Sequence, residues 1–349
     1  MNAGRREAWV DYAKGIGIVL MVYGHIAWGV CNAGLECDRA RESIVHSVLY
    51  TFHMPLFFLL AGLFLKRSLA AHGGASGLIA NKFNTVAYPY AIWSLLQGGV
   101  ELLFGRYKNT GAVSVQEILA FPWEPRMQFW FLYTLFWTFV LCGVAFAKVP
   151  ARHHPWLLLP ALAVYAAKDH FHHITNLYNV ARLLPFFVIG VLFIDHTERF
   201  VRHSRPILVV SLVAAIALQW VFHAQLGLTD DDPEHWIKLP MALACVTAVM
   251  SLCVLLQRRD LRWLGTLGAA SLFIYTMHTM IGVGVRAILA SGLHVQSFAL
   301  HTGIATVLAL LIPLVIYLRF RHWVRYLFEP PRFLALRSPW QRRATRPSA

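Results

Sequence analysis

The stretch Val10–His25, VDYAKGIGIVLMVYGH, constrains the fold most, because it is apolar enough to lie in a bilayer yet carries Asp11, Lys14 and His25. Ionisable groups inside a membrane span are costly and mark functional sites by default. A helix turns about 100° per residue, so the eleven-residue step from Lys14 to His25 closes to within roughly 20° of one face, about 16 Å apart along the axis. Asp11, three residues before Lys14, lies within its reach. The first helix then presents a polar track, with a cation near its start and an imidazole near its end. An interfacial Asp11–Lys14 ion pair beside a packed polar His25 is the plainer reading, and the pattern alone leaves both open.

With 58% hydrophobic and 14% charged residues among 349, the chain lacks the polar surface of a soluble globule of that size. The fold class that follows is all-α, a polytopic integral membrane helix bundle. The formal charge of +14 is not a nucleic-acid footprint, because the basic residues gather in short segments between apolar runs and in the tail. That is the pattern of cytoplasmic loops facing anionic lipid. The first apolar run has no small-residue processing site after it and holds a charge inside it, so it is expected to remain as a span.

About ten runs reach or approach the roughly 20 residues that a span needs. They lie at residues 10–30, 44–65, 84–104, 129–147, 155–168, 178–195, 206–223, 238–256, 270–290 and 299–318, the fifth being the shortest. In a ten-span arrangement Arg5–Arg6, Lys66–Arg67 with Lys82, Lys148–Arg152, Arg199–Arg202–Arg205, Arg258–Arg259–Arg262 and the tail from Arg319 share one side. The positive-inside rule makes that side cytoplasmic, with both termini on it. The opposite loops carry Glu36, Asp38, Glu117, Glu124, Asp230, Asp231, Asp232 and Glu234. The expected organisation is one transmembrane domain over residues 1–320 and a basic cytoplasmic tail over 321–349. That tail is interrupted by Pro330, Pro331, Pro339 and Pro347 and is expected to be partly disordered. The expected location is the inner or plasma membrane, with multiple passes.

Cys142, Cys245 and Cys253 fall in apolar runs and read as small core residues, whereas Cys31 and Cys37 share the first outer loop, where a disulfide can form. No Cys/His spacing has the form of a zinc site, and no metal is expected. The pairs His153–His154 and His172–His173 read as solvated helix ends.

Orientation places further polar residues in depth. Helix 2 runs inward through FHMPLFFLLAG, bringing His53 to a depth comparable with His25, and helix 9 runs outward through SLFIYTMH, bringing His278 near the middle. Three imidazoles on three helices are thus expected to meet in one cavity, as in pathways and relays. Arg182 begins the sixth span, where it either holds an acceptor or snorkels to the interface. Pro55, Pro89 and Pro185 interrupt spans, and Gly15, Gly17, Gly62 and Gly190 suit close helix contact. Lys66, Arg67 and Lys82 flank the second loop and suit either the phosphates of an anionic cofactor or lipid headgroups. Trp93, Trp130, Tyr133, Trp137, Tyr178 and Trp236 are the aromatics that could stack on sugar rings or form interfacial belts.

Six segments in order, WVDYAKGIGIVLMVYGH, FHMPLFFLLAGLF, KFNTVAYPYAIWS, FWFLYTLFW, RLLPFFVIG and SLFIYTMH, resemble the acyltransferase family 3 membrane proteins, in particular the branch of fucose 4-O-acetylase-like and glucan succinylase-like enzymes. The family's first-helix signature is a basic residue, ten residues, then histidine, which Lys14 and His25 fit with Lys in place of the more frequent Arg. The resemblance implies transfer of an acetyl or succinyl group from cytoplasmic acyl-CoA, a donor substrate and not a bound cofactor, to a hydroxyl of a glycan or lipid-linked sugar. Membrane lipid is the other expected partner; nucleic acid is not expected. In that reading His25 is the general base, or in a two-step version carries the acyl group itself, Lys14 steadied by Asp11 polarises or positions the donor, and Lys66, Arg67 and Lys82 take the CoA phosphates. His53, His278 or Arg182 then supplies an oxyanion donor, with Trp130 near the substrate. Two competitors remain: a proton-coupled transporter or flippase with a histidine relay, and an acyltransferase acting on a small molecule.

Overall fold

The computed structural model describes residues 8–104, 113–171, 173–230, 232 and 236–336; Arg5, Arg6, His172, Asp231, Glu234 and the tail beyond Leu336 lie outside the described residues. The described chain is helical, without a strand. In order its helices are α1 (Ala8–Asn32), α2 (Arg39–Gly62), α3 (Leu65–Ala71), α4 (Ala75–Lys82), α5 (Tyr88–Phe104), α6 (Val115–Leu119), α7 (Trp130–Lys148) and α8 (Leu158–Ala166). There follow α9 (Thr175–Phe193), α10 (Thr197–Arg202), α11 (Ser204–Trp220), α12 (Lys238–Leu256), α13 (Arg262–Ala269), α14 (Ser271–Ala287) and α15 (Phe298–Val315).

Among the described residues eight helical segments are long and apolar enough to cross a bilayer, so this is a polytopic helical membrane protein. That is two fewer than the ten runs expected. The missing two are helical, but α5, with Gln97 and Glu101 in its middle, is not apolar enough over a full span, and α8 has only nine residues. Nine residues rise only about 14 Å, less than half the hydrocarbon thickness. Removing both leaves every other span pointing as before and reverses α7 alone. Pro55 and Pro185 lie inside α2 and α9, which continue through them. At Pro55 the ring removes the N–H that would meet the Thr51 carbonyl. The Thr51 hydroxyl turns back to the Val48 carbonyl (2.8 Å) and accepts from Gln219 (3.0 Å), so polar groups at this turn are served by side chains.

The chain forms two compact units. One comprises residues up to Phe57 together with His196–Phe320, and α1 is its hub, packing against α12, α13, α14 and α15. Small residues make the closest of these approaches. A Cβ on Gly15 would strike the Leu264 carbonyl, and one on Gly268 would strike the Asp11 carbonyl, so α1 and α13 hold each other by a reciprocal pair of glycines. The Cys31–Cys37 disulfide, with Cα atoms 5.3 Å apart, closes the α1–α2 turn, while Cys142, Cys245 and Cys253 are free and buried.

The other unit comprises Phe58–Asp195 and residues from Arg321 onward, with α7 packed on α3, α4 and α9, and α8 on α9. Here Gly62 lies against the Phe187 carbonyl and Gly190 against the Leu59 carbonyl, a second reciprocal pair. The segment after Arg321 lies along α5: the Tyr88 hydroxyl donates to the Tyr326 carbonyl (2.7 Å), Asn84 exchanges two hydrogen bonds with the Leu336 backbone (2.9 Å each), and Phe328 packs 5.4 Å from Trp93.

Candidate functional site

A cluster of imidazoles gathers in the first unit. His25 on α1 is half-buried, and its ring lies 5.1 Å from that of His278 on α14 and 5.5 Å from Tyr50 on α2. Tyr50 in turn meets His53 edge-on at 4.6 Å and stacks with His46 at 3.8 Å and 23°. Trp28 packs on His46 at 4.6 Å. His53 and His278 are completely buried. Three helices therefore bring together the three histidines singled out by their depth, with His25 and His278 in direct ring contact and Tyr50 standing between His25 and His53.

Each imidazole is held by its own helix. His25 Nδ1 lies 3.0 Å from the Met21 carbonyl, His53 Nδ1 2.6 Å from that of Leu49, and His278 Nδ1 2.7 Å from that of Tyr275. A carbonyl oxygen only accepts, so each Nδ1 carries the proton and each Nε2 of the neutral ring presents its lone pair. The Thr279 hydroxyl, 3.2 Å away, serves that lone pair on His278. For His25 this tautomer is the one a general base requires, with the basic nitrogen at the outer end of the ring and the ring's rotation fixed by the carbonyl behind it.

Lys14 and Asp11 lie apart from this group. Their charged atoms are 3.7 Å from each other, both side chains being partly buried. Helical side chains lean toward the N-terminus, so Lys14 tilts to Asp11 and away from His25, about 16 Å further along the axis. The two groups cannot act on one atom. Asp11 is itself fixed at the α1–α13 glycine contact described above.

The remaining expected residues belong to the second unit. Lys66, at the start of α3, forms an ion pair with Asp195 at 2.5 Å; Arg67 beside it is exposed; Lys82, ending α4, stands 4.0 Å over the Phe139 ring. Arg182 on α9 lies between Tyr178 and Trp130, with its guanidinium 5.6 and 5.9 Å from the two ring centres, a cation held against aromatic faces. Among the described residues no group of three or more His, Cys, Asp or Glu is placed to hold a metal ion.

Several polar residues escaped the sequence reading. Tyr50 and His46 sit one and two turns before Met54 in α2, at the start of its apolar run. Arg286 on α14 donates to the Gly29 carbonyl of α1 at 2.9 Å. A buried chain in the second unit runs from Gln128 to Gln97 (2.7 Å) to Glu101 (2.9 Å), and Arg126 closes it at 3.1 Å. Gln97 and Glu101 are four residues apart within an apolar run, and that spacing was the available signal.

The match to known proteins follows the same span of chain. The model of the acyltransferase domain family, acyltransferase family 3, matches residues 7–318. The chain belongs to that family. The nodulation protein NolL of Sinorhizobium fredii is similar to it, 26% identical over 198 residues, which is 56% of this chain and 51% of that protein. The chain thus matches about half the length of this curated relative. No solved structure matches. Residues 7–318 thus carry the acyltransferase domain of that family on a polytopic helical membrane protein.

Proposed function

We propose that the chain transfers an acetyl or succinyl group from cytoplasmic acyl-CoA to a hydroxyl of an extracytoplasmic or membrane-linked glycan, in the inner or plasma membrane. The observation that carries this reading is the 3.0 Å contact of His25 Nδ1 with the Met21 carbonyl, which commits Nδ1–H to that oxygen and leaves Nε2 as the basic nitrogen. Its Nε2 takes the proton from the acceptor hydroxyl as that oxygen attacks the thioester carbon. The carbon–sulfur bond then breaks, and the proton held on His25 passes to the CoA sulfur. Base and acid are one group, and the ring ends neutral.

The developing oxyanion needs a donor close to His25. Neutral His278 is poorly suited, since its Nδ1–H is spent on Tyr275 and its Nε2 accepts from Thr279. Tyr50 suits the role better: its ring is 5.5 Å from His25, and its hydroxyl makes no hydrogen bond among the described residues. Lys14 and Asp11, with Lys14 about 16 Å from the base along α1, act on a part of the donor remote from the reacting carbon. Exposed Arg67, with Lys66 and Lys82, receives the CoA phosphates, Lys66 exchanging Asp195 for phosphate on binding.

Family membership weighs against the transporter reading. Comparing surface glycans of a strain lacking the chain with its parent, after feeding labelled acetate and labelled succinate, tests the proposal. Loss of one label from glycan supports it and names the acyl group. Unchanged glycan labelling, with loss of label from a small soluble product, refutes the glycan acceptor and leaves acyl transfer standing.

A further inference from the structure

A cavity of about 630 Å³ lies in the first unit, between α1, the start of α2 and α15. Tyr23 forms one wall, Asp38, Arg41 and Glu42 the charged end, and Thr302 and Gly303 the face toward α15. Tyr23 is two residues, about 200° of helix rotation, from His25, so this cavity is on the opposite face of α1 from the imidazole cluster. It plays no part in the acyl-transfer reading above.

Its chemistry is incomplete without a ligand. Glu42 is only 6% exposed, its carboxylate oxygens open to the cavity, and among the described residues no hydrogen bond or ion pair meets them. The Thr302 hydroxyl, 5% exposed, likewise has no partner among them. A buried carboxylate is expensive unless a cation or a set of donors meets it. Arg41, next in sequence, is exposed at the same end of the cavity. A ligand that fits therefore carries an ammonium for Glu42 and an anion, a short link away, for Arg41.

The surroundings say what the rest of that ligand is. The cavity opens along α15 at Gly303, where an added Cβ would meet nothing within 4 Å. From there Leu300, Ile304, Val307 and Leu311 form an exposed apolar row, 39–52% accessible, down a membrane-spanning helix. A sugar would supply hydroxyl donors, but no positive charge for Glu42 and no use for that row.

We propose that this cleft binds a zwitterionic aminophospholipid. The ammonium of its headgroup lies against Glu42 and Asp38, its phosphate against Arg41, its glycerol ester region near Thr302, and an acyl chain along Leu300–Leu311. Two sequence neighbours of opposite charge, one buried and one exposed, thus read the two charges of one headgroup.

The test is native mass spectrometry of the full chain, reconstituted in vesicles containing equal amounts of phosphatidylglycerol, phosphatidylcholine and phosphatidylethanolamine and then extracted in mild detergent. Phosphatidylethanolamine is expected to remain bound in preference to the other two, since only its headgroup offers N–H donors with a positive charge. Glu42→Gln is expected to reduce its occupancy about tenfold, the worth of a charged hydrogen bond. Gly303→Phe, which fills the opening on the exposed side without touching the core, should do the same in a protein with normal thermal stability. Equal retention of the three lipids overturns the proposal, as does full occupancy in Gly303→Phe. Displacement of the bound lipid by a soluble oligosaccharide also overturns it, in favour of a glycan site.

Discussion

The reciprocal glycines of α1 and α13 make a prediction that can be worked from geometry. Gly15 faces the Leu264 carbonyl and Gly268 the Asp11 carbonyl, and in each case a Cβ would overlap a backbone atom that has no rotamer to escape into. In Gly15→Ala the two helices must part by about 1 Å, and overpacking of this kind costs about 1–3 kcal/mol. Gly268→Ala forces the same displacement from the other side and costs a similar amount. Once the helices have parted, the second methyl enters space already opened. The double variant should therefore cost about as much as the larger single, giving a coupling energy of about 1–3 kcal/mol in a double-mutant cycle. Unfolding in mixed micelles of mild detergent and dodecyl sulfate, followed by tryptophan fluorescence, measures all four proteins. Gly284→Ala is the control, since its Cβ meets nothing within 4 Å, and it should be neutral or slightly stabilising. Additive losses in the double variant, or singles as stable as the control, would refute the close approach.

Three further outcomes follow from other contacts. Glu101→Ala strands Arg126 and the Gln97–Gln128 amides in a buried setting, and should destabilise the protein by about 3–5 kcal/mol in the same unfolding assay, with Glu101→Gln markedly milder. Replacing Cys31 by Ser opens the loop to Cys37 and should cost about 2 kcal/mol by the loop-entropy relation, read as a stability difference that disappears when the parent protein is assayed under reducing conditions. Tyr50→Phe keeps the ring against His25, His46 and His53 while removing its hydroxyl, and should lower kcat by about 10²-fold at unchanged thermal stability.

How much of this was legible in the sequence depends on which distance a feature acts over. Helix geometry places residues of one helix, so the Asp11–Lys14 contact and the axial gap from Lys14 to His25 could be read directly. Depth arithmetic on oppositely running spans placed His25, His53 and His278 at one level, and their rings do converge around Tyr50 and His25. The arithmetic says nothing about azimuth between helices. Tyr50, with His46 stacked on it, therefore drew no reading, although its ring stands between His25 and His53, and Trp28 was one among twelve tryptophans. Glycines suited to close packing were visible as such, but their partners were not, because α13 is a short helix outside every apolar run. Length was misjudged where polarity interrupts an apolar run: α5 carries the Gln97–Glu101 chain, and α8 is preceded by a 3₁₀ turn over Ala151–Leu157.

The most direct measurement of the central claim is acyl transfer by the purified, reconstituted protein, with radiolabelled acyl-CoA and an acceptor glycan, comparing His25→Ala and His25→Gln with the parent at matched folded protein. General-base catalysis by the imidazole predicts a fall of about 10²–10⁴-fold in kcat for both variants, because neither side chain can take the acceptor's proton. Near-parental kcat in either variant would contradict the assignment of His25 as the base.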